Sequence, residues 1–157
     1  MYNSCLFTVD VEEWWSVESF RKFLHRKENQ TIQYSDRIGK GLDKILSLLE
    51  EYQIKGLFFI LGRVAEKHPK EIRKIVENGH EVGTHGYDHI LIYNQTSEEF
   101  EEDLAQSIHV LEKITNKKID KYRAPSYSIT KDSLWALSVL AKHGIKYDFS
   151  LFPTINK

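Results

Sequence analysis

The segment Lys55-Gly-Leu-Phe-Phe-Ile-Leu-Gly62 decides how the rest of the chain is read. Its apolar run, Leu57 to Leu61, is too short for a core helix and shows no polar alternation. That combination is a strand buried on both faces. Such a strand belongs to a parallel sheet covered by helices, and both flanks agree. Upstream, Leu42, Ile45, Leu46, Leu49 and Tyr52 fall at i, i+3, i+4, i+7 and i+10, the apolar stripe of a helix from about Gly41 to Tyr52. Downstream, Pro69 suits a first helical turn, Ile72, Ile75 and Val76 give a buried face, and Asn78-Gly79 stops the helix.

The alternation continues in both directions. Cys5–Val9 is expected to be the first strand and His80–Thr84 the third. Ser97, followed by acidic residues, reads as the N-cap of a helix to about Thr115 that buries Phe100, Leu104, Ile108 and Leu111. Ile119–Ala124 is the fourth strand. Thr130 caps a helix carrying Leu134, Leu137, Val139 and Leu140, ended by His143-Gly144, and Ile145–Phe149 is the fifth strand. Residues 16–40 read as a long loop with a short helix at Val17–His25. Five strands separated by helices predict an α/β fold with a parallel sheet. A complete (β/α) barrel takes ~250 residues, so the chain is either a smaller open sheet or an incomplete barrel.

The chain has 157 residues, which suits one domain. Its 22 basic and 23 acidic residues leave a net charge of −1, which excludes a protein built to neutralise nucleic-acid phosphates. A single cysteine, Cys5, permits neither an intramolecular disulfide nor a cysteine-based zinc site. The N-terminus lacks a basic leader, and its apolar run stops at Asp10. The longest apolar run is far short of the ~20 residues of a spanning helix. No membrane insertion and a cytoplasmic location are therefore expected. The aromatic segment Trp14–Phe23 suits either an interface or a substrate lid, and leaves the oligomeric state open.

In parallel α/β folds ligands sit beyond the carboxyl ends of the strands. Strand one delivers Asp10, Glu12 and Glu13 there, strand three His85 and His89, strand four Arg123 and the turn Pro125-Ser-Tyr127, and strand five Asp148 and Ser150. Two histidines four apart point to one side if the segment between them turns helically, and Gly86 allows a sharp turn. With one carboxylate from strand one they make a two-histidine, one-carboxylate set that leaves an open coordination position, and the second carboxylate is free to act as a base. The bland readings are a surface histidine pair, an acidic loop and a surface ion pair at Arg123. No zincin motif fits, because Gly86 stands where glutamate is required, and GxxxxGK[ST], GxGxxG and GxSxG are all absent.

Phe7-Thr-Val-Asp10-Val-Glu12-Glu-Trp, Gly79-His-Glu-Val-Gly-Thr-His85-Gly-Tyr-Asp-His89 and Tyr122-Arg-Ala-Pro-Ser126-Tyr, in that order, resemble the polysaccharide deacetylase family (NodB homology domain, carbohydrate esterase family 4). The resemblance runs to about Pro153. It implies a distorted (β/α) barrel, here with about five βα units, and a hydrolase that removes N- or O-linked acetyl groups from a carbohydrate or polysaccharide. It also implies one divalent metal ion, with zinc favoured over cobalt or another ion. Within it Asp10 corresponds to the base, Glu12, His85 and His89 to the metal ligands, and Arg123 to the residue that holds the base. Ser126 stands where the family usually has tyrosine, and its backbone N–H corresponds to the oxyanion donor. Asp148 corresponds to the family's fourth motif, which supports a histidine in a later Leu-x-His. No such histidine follows Phe149, so the expectation is a single domain, 1–157, truncated at its C-terminus. The alternatives are a catalytically impaired glycan-binding pseudoenzyme and a related hydrolase of non-peptide C–N bonds.

Overall fold

The computed structural model describes residues 5–16 and 37–151. The expected helix at Val17–His25 lies outside the described residues. The elements are β1 (Phe7–Val11), α1 (Ile38–Glu51), β2 (Gly56–Ile60), α2 (Gly62–Lys67), α3 (Pro69–Glu77), β3 (Glu81–Thr84), α4 (Ser97–Thr115), β4 (Lys121–Tyr122), α5 (Trp135–Lys142) and β5 (Tyr147–Asp148). Short 3₁₀ turns lie at Ile92–Asn94, Pro125–Tyr127 and Lys131–Ser133. The five strands form one parallel sheet in the order β1-β2-β3-β4-β5.

Strand order equal to sequence order is the winding of a barrel wall. A doubly wound sheet reverses direction at a switch point, and none occurs among the described strands. Because crossovers are right-handed, unidirectional winding puts successive helices on one face. They pack side by side there, α1 on α3, α3 on α4 and α4 on α5. The observed fold is therefore α/β, an incomplete, distorted (β/α) barrel as expected.

Two apolar clusters fill the space between sheet and helices. One joins Leu42, Leu46 and Leu49 of α1 to Phe58 and Ile60 of β2, Ile72 and Ile75 of α3, and Leu111 of α4. The other joins Phe100 and Leu104 of α4 to Tyr122, Val139, Leu140 and Ile145, and Ile108 packs against both. All five residues of β2 are buried, as its unbroken apolar run requires. Among the described residues no helix is long and apolar enough to cross a membrane.

Several boundaries differ from the sequence reading. Thr96, not Ser97, caps α4: its hydroxyl accepts from the Glu99 N–H (3.2 Å), and the Glu99 carboxylate accepts from the Thr96 N–H (2.8 Å). This reciprocal pair satisfies two N–H groups left open at a helix start. Thr130 caps a 3₁₀ turn, so α5 begins only at Trp135 and Leu134 is exposed. Tyr52 follows the end of α1 and is also exposed. β4 and β5 are two residues each, because Pro125 follows closely and lacks the N–H that a ladder needs. The six-residue α2 has no counterpart in the sequence reading.

Candidate active site

The sheet register assembles the site. Asp10 is level with Phe59 and Gly83, and Thr84 with Tyr122, which in turn is level with Asp148. Paired residues share a face and side chains alternate along a strand. Asp10, Phe59, His85 and Arg123 thus fall on the face opposite the helices, while Phe58, Ile60 and Tyr122 face the helical layer. Gly83 on that inner face is a packing requirement: a Cβ there would lie 2.8 Å from the Phe59 ring. Phe59 packs against Phe149 (5.2 Å between centroids) and under the Arg123 guanidinium (4.3 Å), giving the site an apolar floor.

Ligand-type atoms of Glu12, His85 and His89 all lie within 4.8 Å of one another. His85 and His89 are buried. His85 Nδ1 donates to the Arg123 carbonyl at 2.7 Å; a carbonyl only accepts, so Nδ1 carries the proton and the Nε2 lone pair is left free. Burial pushes the His85 pKa down, against the pull of Asp10 and the Arg123 carbonyl, so the ring is neutral, the state that ligates metals. For Glu12 burial acts upward, but contact with His89 and the nearby His85 outweighs it and its pKa is lowered.

The cluster fits a divalent cation. His89 Nε2 and Glu12 Oε2 are 2.9 Å apart, yet Glu12 Oε2 and His89 Nδ1 are buried polar atoms without a hydrogen-bond partner among the described residues. Such orphans are costly unless something else satisfies them. Two nitrogens and one oxygen gathered within 4.8 Å of one another are close to the spacing that ~2.0–2.2 Å zinc–ligand bonds require.

The segment joining the two histidines is not helical and instead uses the sharp turn that Gly86 allows. Gly86 (φ 79°) and His89 (φ 59°) are both left-handed, and this reverses the chain so that both rings meet Glu12. A non-glycine residue in that region is uncommon and points to a conformation held by its surroundings.

Beside the cluster, the Arg123 guanidinium donates to Asp10 Oδ1 (2.7 Å) and to Thr8 Oγ1 (3.0 Å). Arg123 is buried, so this is an oriented pair rather than the surface bridge of the bland reading. Ser126 sits in the turn after β4 with φ 51° and ψ 29°. The Tyr127 and Ser128 N–H groups are bonded back to Ala124 and Pro125, while no hydrogen bond among the described residues engages the Ser126 N–H. Asp148 is brought elsewhere. Its carboxylate accepts from the Ser150 N–H and hydroxyl, and Ser150 Oγ in turn accepts from the Ala124 N–H (2.7 Å), so Asp148 braces the Pro125 turn from behind. Partial desolvation raises the Asp148 pKa, opposed by the Ser150 donors.

Of the other histidines, His80 is a core residue whose Nδ1 accepts from the Gly56 N–H, and His143 caps α5 beside Glu101. The sequence reading missed Asp103 and Ser107 on α4, which hold the histidine loop. Both lie on the same helix face as Phe100, Leu104 and Leu111, and polar residues at i and i+4 on a buried face are the signal.

Fold and rim together define an α/β protein with a carboxylate–imidazole cluster beside an arginine-held aspartate at the carboxyl ends of its strands. The chain belongs to the polysaccharide deacetylase family, whose sequence profile matches residues 27–147. His85, His89, Arg123 and Ser126 lie inside that match, and Asp10 and Glu12 precede it. The chain is 32% identical over 111 residues to a peptidoglycan deacetylase of Helicobacter pylori, covering 71% of this chain and 37% of that protein. It is 30% identical over 94 residues to a peptidoglycan-N-acetylglucosamine deacetylase of Bacillus cereus, covering 59% and 34%. The chain thus spans little more than a third of the length of these relatives. A crystal structure assigned to the polysaccharide deacetylases of Mycobacterium smegmatis superposes with a TM-score of 0.73 at 29% identity, covering 91% of this chain and 49% of that one. A carbohydrate esterase family 4 pseudoenzyme of Bacillus anthracis shares the fold, with a TM-score of 0.68 at 20% identity.

Proposed function

We propose that this protein is a metal-dependent hydrolase that removes acetyl groups from an amino-sugar glycan of the peptidoglycan kind. The observation that carries the reading is one arrangement: Glu12, His85 and His89 within 4.8 Å of one another, beside an Asp10 oriented by Arg123. The relatives' activities support the substrate class, and the intact donor set favours an enzyme over a pseudoenzyme.

Glu12 Oε2 and one ring nitrogen each of His85 and His89 would hold the cation. A bound divalent cation supplies Lewis acidity, lowering the pKa of a coordinated water from 15.7 toward ~7 and polarising a carbonyl oxygen. The residues of the chain do the rest. Arg123 takes Asp10 Oδ1, which leaves Oδ2 to accept the proton of the attacking water. The Ser126 N–H is the donor for the charge that develops on the acetyl oxygen, where one such donor is worth ~3–4 kcal/mol. Phe59 beneath Arg123 keeps water from the guanidinium, which strengthens its hold on Asp10.

The test is acetate release from peptidoglycan and from N-acetylglucosamine oligomers. Release that stops on chelation and returns with zinc or cobalt is expected, and His89→Ala should abolish it together with metal binding. Metal binding without acetate release from any acetylated glycan would remove the hydrolase assignment.

A further inference from the structure

We propose that Asp103 is the positioning residue of the metal site: a carboxylate on α4 that fixes the bite of His85 and His89 by gripping the backbone between them. The inference rests on reading Glu12, His85 and His89 as ligands. Asp103 Oδ2 accepts from the Tyr87 N–H at 2.7 Å and Oδ1 from the Asp88 N–H at 3.1 Å. Both oxygens of one carboxylate are thus spent on consecutive amides of the five-residue segment that carries the two histidines. Charged acceptors make the stronger hydrogen bonds, and here they bind amides that a left-handed loop leaves without ladder partners.

The rest of the loop is held by neutral hydrogen bonds and one outer ion pair. Thr84 Oγ1 accepts from the Gly86 N–H (3.1 Å), and Ser107 Oγ donates to the Gly86 carbonyl (3.0 Å). The Gly62 and Arg63 N–H groups donate to the Gly86 and Tyr87 carbonyls (2.9 and 3.2 Å). From outside, the Arg63 guanidinium takes both Asp88 carboxylate oxygens. These contacts fix the entry to the loop and its outer edge. Only Asp103, among the described residues, grips the two amides directly before His89, the residue held at φ 59°. Left-handed backbone is unfavourable for a non-glycine residue, so His89 keeps it only while its neighbours impose it. Gly86 is also fitted to the carboxylate: a Cβ there would lie 3.0 Å from Asp103 Oδ2.

The experiment uses Asp103→Asn, which preserves shape and one acceptor oxygen but turns a donor toward the second amide. Cobalt titration, followed by calorimetry and visible absorption, is compared across wild type, Asp103→Asn and Glu101→Gln, a half-buried carboxylate of the same helix that faces Lys142 and His143 instead. Cobalt affinity is expected to fall ~10–100-fold in Asp103→Asn, with an altered cobalt spectrum, and to stay unchanged in Glu101→Gln. Circular dichroism should show both variants folded. A second reading needs no variant: in the metal-free wild type the Tyr87 and Asp88 amides should be protected from hydrogen exchange. Parental cobalt affinity in Asp103→Asn, or rapid exchange of those two amides, overturns the proposal. A wild type that takes up no cobalt instead overturns the reading of the site itself.

Discussion

Replacing Asp10 by asparagine separates the proposed base from the proposed ligands. Asp10 Oδ1 accepts from Arg123 Nη1 at 2.7 Å, and an asparagine carbonyl oxygen occupies the same position. The fold therefore keeps this hydrogen bond and loses only the charge on its acceptor. A hydrogen bond to a charged group is worth ~1.5–3 kcal/mol and a neutral one ~0.5–1.5, so the cost is about 1 kcal/mol. For a chain of this length that lowers Tm by about 2–4 °C. The chemistry loses more, because an amide cannot accept the water's proton at neutral pH. General-base catalysis contributes ~10²–10⁴-fold, so acetate release should fall by that factor, equivalent to about 3–5 kcal/mol of barrier. Cobalt affinity should stay within about threefold of wild type, since on this reading Glu12 and not Asp10 is the carboxylate ligand. The assay is a paired one, acetate release at saturating metal and calorimetric metal titration. Undiminished release would show that Asp10 is not the base. Loss of release together with loss of cobalt binding would make Asp10 a ligand and refute the division of roles.

Two further substitutions test the packing behind the site. In Gly62→Ala the new Cβ would lie 2.4 Å from Tyr87 Cδ2 and 3.1 Å from Ser107 Cα, and the second of these is backbone that cannot swing aside. Overpacking of this kind costs ~1–3 kcal/mol, only partly offset by alanine's helix propensity, so the urea midpoint should drop, and an unchanged midpoint would deny the close approach of α2 to α4. In Tyr122→Phe the deleted hydroxyl is fully buried and without a partner among the described residues, so the variant should be as stable as wild type or more so at neutral pH. Burial, followed by Asp103 and Asp148, raises the Tyr122 pKa well above 10.0. The stability linked to its neutral form is fully present below that value and is lost as pH rises beyond it, and Tyr122→Phe should lack that share of alkaline unfolding in a pH-resolved melt. An identical alkaline profile in the two proteins would contradict the burial.

The sheet was legible in the sequence because burial on both faces leaves no alternative for a run such as Leu57–Leu61. The longer helices were legible because an apolar stripe repeats over several turns. What escaped was short or local. Helix α2 spans Gly62–Lys67 with only Val64 and Ala65 as buried apolar side chains, too few to show a period. The Thr96 cap was readable from Glu99 three positions on, but the acidic residues after Ser97 drew the assignment one residue late. The sequence order of Asp10, Glu12, His85, His89 and Arg123 gave the membership of the site, and period-two alternation explains why these strand ends share a face. It could not give the left-handed turn at His89 or the carboxylate that grips it. That carboxylate comes from a helix otherwise read for its apolar stripe, and a polar residue on such a face looks like an interruption. For Asp148 the family position implies support of a later histidine, and in this chain its carboxylate engages Ser150 behind the Pro125 turn.

Arg123 explains why so short a strand as β4 can serve both halves of the site. Its carbonyl receives the His85 Nδ1 proton at 2.7 Å and so selects the tautomer with a free Nε2. Its guanidinium, at the far end of the side chain, donates to Asp10 and Thr8 of β1 at the far edge of the sheet. A shift of β4 along its axis would therefore disturb His85 and Asp10 together rather than one alone. The strand is held against such a shift at both of its ladder partners. The Arg123 N–H donates to the Thr84 carbonyl of β3 at 3.0 Å, and the Phe149 N–H donates to the Tyr122 carbonyl at 2.8 Å. Ser150 adds the bond to the Ala124 N–H one residue later. Two ladder residues are enough because the side chains and backbone around them close the same circuit from β1 to β5. The coupling also sets what a lysine at position 123 would do. The backbone bond to His85 would survive, whereas one ammonium cannot reproduce the planar fork that spans Asp10 and Thr8, so Asp10 would lose its orientation while His85 kept its tautomer.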